Sequence, residues 1–102
     1  MSRVGNFACL GVAEQVGHIT AEVTRARVWE SKADAFHCQE AVARAIELVA
    51  LFLSGNIPDG FRREMTTLKV VLQQYQEGAA ECGASLMELE QYLLQLFMVS
   101  RV

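Results

Sequence analysis

Seven residues of core type, Phe61, Met65, Leu68, Leu72, Tyr75, Ala79 and Cys82, recur at alternating steps of four and three. That spacing lines one face of a helix for about six turns. The same rhythm runs through Cys9, Val12, Val16, Ile19, Val23 and Ala26, and again through Leu86, Leu89, Leu93 and Leu96. Helices striped in this way are stabilised by packing on one another.

Three boundaries divide the pattern. The single proline lies in Ser54-Gly55-Asn56-Ile57-Pro58-Asp59-Gly60, a turn in which Gly55 can close one helix and Pro58 or Asp59 can open the next. A second boundary falls near Trp29, because continuing the first stripe would turn Arg27 inward and Trp29 outward. Ser31-Lys32-Ala33-Asp34 there reads as a capping box. The third is Cys82-Gly83-Ala84-Ser85, with Ser85 and Glu88 in the same capping spacing. The pattern predicts one domain over 1–102 with helices near 6–27, 31–54, 59–82 and 85–100. Similar lengths and short turns predict an all-α, antiparallel up-down four-helix bundle.

Composition adds a reason for association. Apolar residues make up 52% of the 102-residue chain, and the 7 glycines bring the share to about 59%, against about 45–50% in ordinary soluble domains, a figure that leaves out tyrosine. A domain of this size has little interior, so the surplus predicts a homodimer or a permanent partner. On helix four Leu86, Leu89, Leu93, Leu96 and Phe97 fill one arc. Met87, Leu94 and Met98 fill a second, set apart by Glu90 and flanked by Gln91. The second arc is the expected partner-binding surface, for a second copy or for a partner helix.

Charge excludes several functions. The net charge is −3 and the isoelectric point about 5.3, which argues against a nucleic-acid binder. The last third carries only Arg101 against Glu77, Glu81, Glu88 and Glu90, so an up-down order would set those acids near Arg25, Arg27 and Lys32. The longest apolar run, Ala41 to Leu53, is too short for a membrane span and contains Arg44 and Glu47. A short apolar stretch from Phe7 to Ala13 follows Arg3, but it merges into the first helical stripe and is read as helix rather than leader. Three cysteines without a Cys-x-x-Cys pair form no disulfide framework, and a reducing, cytoplasmic setting is expected.

Candidate chemistry is sparse. Glu14, His18 and Glu22 share i, i+4 spacing on the polar face, and Asp34 and His37 have the i, i+3 carboxylate–histidine spacing of di-iron bundles. Helices three and four contain no histidine, so a second such motif is missing and no metal or cofactor is expected. An exposed histidine on a small helical bundle is similar to histidine phosphotransfer domains. The lysine and glycine that usually follow the phosphorylated residue are absent after both His18 and His37. No Glu-x-x-Glu pair of the kind that holds magnesium in all-helical pyrophosphohydrolases occurs. Trp29, near Arg25, Arg27 and Lys32, is read as a ring turned inward to plug the bundle end. Gly11 and Gly17 are read as interruptions of helix one; the flank of Ala13, Gly17 and Ala21 either lets another helix come close or leaves the N-terminal part weakly helical. The sequence therefore predicts a non-catalytic protein–protein interaction module: an adaptor, chaperone-like or regulatory homo-oligomer. A metal-binding or phosphorelay bundle using His18 or His37 is the alternative.

Overall fold

A computed structural model describes residues 10–55, 57–78 and 85–100. All four elements among them are helices: α1 (Val12–Ser31), α2 (Ala35–Leu53), α3 (Asp59–Gln76) and α4 (Leu86–Ser100). Helix α1 packs against both α2 and α4, and α2 packs against α3. No helix among the described residues is long and apolar enough to cross a membrane.

The stripes supply one shared core. Val16, Ile19, Val23 and Ala26 of α1 meet Ala41, Val42, Ala45, Leu48, Val49 and Phe52 of α2. Met65, Leu68 and Leu72 of α3 and Leu86, Leu89 and Leu93 of α4 join the same cluster. Phe61, Tyr75, Leu96 and Phe97 pack on it only half-buried, since they lie toward the helix ends, where fewer neighbours surround them. Ala79 and Cys82, the last residues of the α3 stripe, lie outside the described residues.

Helix ends differ from the sequence expectation in ways that local hydrogen bonding explains. Helix α1 does not stop near residue 27 but runs to Ser31. It ends where Asp34 N–H donates to Trp29 O (3.0 Å) and Ala33 N–H donates to Glu30 O (3.0 Å). This is the 6→1 and 5→2 pairing of a Schellman motif. The motif needs a left-handed residue, and Ala33 takes that place at φ 58, at a cost of about 1–2 kcal/mol. Ser31 does not cap α2; its hydroxyl donates back to Val28 O. Asp34 is the N-cap instead, accepting from the His37 N–H at 3.1 Å.

Helix α3 likewise ends earlier than residue 82. Gly78 adopts φ 77 and its N–H donates to Tyr75 O, the same 5→2 bond that Ala33 makes at the end of α1. Gly11 does not interrupt α1 but stands at its N-cap, in extended conformation. The α2–α3 turn is held by Arg62, whose guanidinium donates to Leu53 O (2.8 Å) and Gly55 O (3.0 Å). It thereby places positive charge on the C-terminal carbonyls of α2. At the start of α4 the capping box forms in both directions. Ser85 N–H donates to Glu88 Oε1 (3.0 Å) and Glu88 N–H to Ser85 Oγ (3.1 Å).

Candidate functional site

Helix α4 has an inner and an outer face. Its inner face rests on α1 through Leu86, Leu89 and Leu93, and Phe97 covers Gly17, where an added Cβ would lie 3.2 Å from the ring. Gly17 thus gives close approach to α4 rather than a weak point in the helix. The outer face carries the second arc. Met87, Leu94 and Met98 are 55%, 46% and 65% exposed, and Val99 beside them 64%. Gln91 and Gln95 lie exposed in the same region, and no residue from 91 to 100 is charged.

Glu90 marks the border between these faces. Its carboxylate accepts from Thr24 Oγ1 (2.5 Å), and Arg27 Nε stands 2.8 Å from Oε1. The Arg27 contact is an ion pair whose N–H is not aimed at the oxygen, because Arg27 Nε has no hydrogen-bond partner. Arg27, expected to spoil the α1 register, is half-buried and held there by this carboxylate. Tyr92, further along α4, donates its hydroxyl proton to Glu64 of α3.

The sequence placed Glu22 on the polar face beside His18, and the structure overturns that placement. Glu22 is only 3% exposed and lies between α1 and α2. Arg44 Nε reaches both its oxygens at 3.3 Å, and Arg25 Nη1 stands 3.1 Å from Oε1. A buried carboxylate is tolerated because two guanidiniums replace its water. No period analysis of α1 alone signals this, since the partner Arg44 is on α2. Glu22 is turned inward, whereas Glu14 and His18 are exposed. Among the described residues no three metal-capable side chains converge.

The second polar centre is the α1–α2 corner. The His37 ring bonds through Nδ1 to Asp34 Oδ2 at 2.8 Å. It stacks on Trp29 with centroids 4.5 Å apart, and Phe36 meets its edge at 5.4 Å. Trp29 is therefore no full plug. It is half-buried, with part of its surface against the core and the rest against His37 and the Lys32 ammonium (5.3 Å from the ring centre). Backbone and side-chain hydrogen bonds from His37 hold the Asp34 carboxyl below its ordinary range. His37 is thus accounted for as part of the turn that starts α2.

A cleft of about 190 Å³ opens beside this corner, lined in part by Glu30, Asp34, Cys38 and Tyr75. Tyr75 donates its hydroxyl proton to Glu30 and lies 3.7 Å from Cys38 Sγ. Burial, followed by the bond to Glu30, pushes the Tyr75 phenol above its ordinary range. Burial likewise pushes the Cys38 thiol up. A thiol kept protonated is a poor nucleophile, and the cleft is smaller than the roughly 300–1,000 Å³ of ordinary ligand sites. The cleft is a corner tied by the Tyr75–Glu30 and Cys38–Tyr75 contacts. Comparison with known proteins finds no matching family model, no similar curated protein and no similar solved structure.

Proposed function

We propose that this protein is a non-catalytic interaction module that works as a homodimer through the outer face of α4, in an adaptor, chaperone-like or regulatory role. The observation that carries the reading is the uncovered row Met87, Leu94 and Met98, extended by Val99. A lone bundle gains nothing from a second apolar stripe on a helix whose first stripe already fills the core. Methionine also suits a surface that repacks against another chain. The absence of charge from 91 to 100 favours a second copy. In a two-fold interface one patch serves both chains, so an uncharged patch needs no opposite charge placed against it.

The bundle behind this surface is taken to be antiparallel and up-down. Supporting contacts join Trp29 to His37 and Glu22 to Arg44 across α1 and α2, and Thr24 to Glu90 and Gly17 to Phe97 across α1 and α4. Cys38 to Tyr75 and Leu53 to Arg62 join α2 and α3 in the same sense. In each pair of helices the index rises on one as it falls on the other. With its one described cysteine buried and unpaired, the chain suits a reducing compartment such as the cytoplasm.

Leu94→Glu tests the reading. Light scattering should report a dimer for the natural sequence and a monomer for the variant, with helical circular dichroism largely kept. A variant that stays dimeric removes this face from consideration.

A further inference from the structure

A homodimer formed through α4 could place its second copy in more than one orientation, and the pattern of the outer face chooses among them; the choice rests on the homodimer reading. Met87, Gln91, Leu94 and Met98 recur at steps of four, three and four, all exposed. That is the spacing of a coiled-coil seam, d-a-d-a, with glutamine at one a position. A polar residue in such a seam specifies register and orientation at some cost in stability. The seam is short, but α4 is already held as a helix by Leu86, Leu89 and Leu93 on the core, so pairing need not nucleate it.

Three simple pairings bring this row against its copy. An antiparallel pairing about the centre of the row sets Met87 opposite Met98 of the second copy, and Gln91 opposite its Leu94. Both amides then lose water against an apolar side chain without a partner. An antiparallel pairing centred on Gln91 joins the amides but sets Leu94 opposite Glu88 of the second copy and Met87 opposite its Gln95, so the apolar matches are lost. A parallel pairing in register sets every residue against its own twin. Methionines meet methionines, Leu94 meets Leu94, and Gln91 meets Gln91, whose amide is both donor and acceptor and so complements itself.

Twin-to-twin contact is the arrangement least tolerant of charge, and the row carries none. Of the two carboxylates beside it, Glu88 is exposed and reaches back to the Ser85 N–H, and Glu90 is turned to Thr24 and Arg27 with a side chain only 14% exposed. We infer that α4 pairs in parallel and in register with α4 of a second copy, the two Gln91 side chains hydrogen-bonded across the two-fold axis.

Site-directed cross-linking tests the orientation. Met87→Cys and Met98→Cys are placed singly in the full chain carrying Cys9→Ser and Cys82→Ser, then oxidised mildly, alone and as a mixture. The inference expects each variant to cross-link to itself and the mixture to give no 87–98 species by peptide mass spectrometry. A dominant 87–98 species means an antiparallel dimer and overturns the inference. All three species in statistical proportion mean random collision and overturn it equally. Light scattering on the same samples separates the two levels. A monomer defeats the homodimer reading and the inference with it, whereas a dimer with the wrong cross-links defeats the parallel register alone. Gln91→Glu should weaken the dimer by at least about tenfold, because two carboxylates replace the amide pair. Undiminished affinity in that variant would also overturn the inference.

Discussion

The two faces of α4 are alike in apolar content and opposite in fate. Leu86, Leu89 and Leu93 are at most 7% exposed, while Met87, Leu94, Met98 and Val99 are 46% or more exposed. Hydropathy does not separate the two rows; what the rest of the chain offers each one does. Toward the inner face α1 presents Gly17, on which Phe97 lies, and Thr24 and Arg27, which hold the Glu90 carboxylate. The outer row has no such seat among the described residues and stays exposed. The inner row also uses leucine, with few well-defined rotamers, where the outer uses the more adaptable methionine. A row built to fit one fixed neighbour thus lies back to back with a row suited to a neighbour that arrives later.

The sharpest way to break this contrast is a pair of neighbouring truncations. Leu93→Ala removes a fully buried side chain and should cost about 2–5 kcal/mol in urea unfolding, at every protein concentration. Leu94→Ala, one residue on, should change the stability of the separated chain by no more than about 0.5 kcal/mol. It should lower apparent stability only at concentrations where the chains associate. Equal costs at low concentration would mean that the outer row is covered within the chain.

Much of the fold was legible because each helix carries its own instruction. The stripe at Val16, Ile19, Val23 and Ala26, the proline turn and the Ser85–Glu88 box depend on residues close in sequence, where period and capping rules apply. The misread positions share another property: their meaning lies on a different helix. Glu22 looks like a surface acid until Arg44 of α2 is placed beside it, and Arg27 looks misplaced until Glu90 of α4 is. Trp29 was expected to turn inward as a large aromatic side chain, but its ring also stacks on His37, across the turn. The end of α1 was hidden for a local reason, since alanine is an uncommon occupant of the left-handed position that Ala33 takes. The outer arc of α4 could be read as a pattern, but a pattern alone does not say which chain covers it.

A second test sharpens the contrast from the side of α1. Gly17 is where the inner seam is closest, with a Cβ position 3.2 Å from Phe97 Cε1. Gly17→Leu should displace the Phe97 ring and destabilise the chain by about 1–3 kcal/mol, despite the helix propensity that leucine adds. Thermal unfolding followed by circular dichroism measures the loss. Association through Met87 and Leu94 should survive in the folded fraction, because those residues lie on the other side of α4. If Gly17→Leu stabilised the chain, α4 would be looser on α1 than the inner row implies, and the two faces would differ less than their burial suggests.

The smallest expected effect comes from the one feature that both faces share, the helix start. Ser85 Oγ accepts from the Glu88 N–H at 3.1 Å, and its loss leaves that amide without a capping acceptor in the first turn. Ser85→Ala should cost about 1 kcal/mol, partly offset because Glu88 can still reach back to the N–H of residue 85. The first turns of α4 carry Leu86 and Leu89 inward and Met87 outward, so fraying there withdraws support from both rows at once. Ser85→Ala is therefore expected to lower stability at low concentration and to weaken association, each by a modest amount. Leu94→Ala should affect only association. Urea melts of both variants across a concentration series separate the two behaviours. If Ser85→Ala weakened association without touching the stability of the separated chain, the start of α4 would belong to the outer surface alone, and the inner row would draw its support from Leu93 and Phe97 onward.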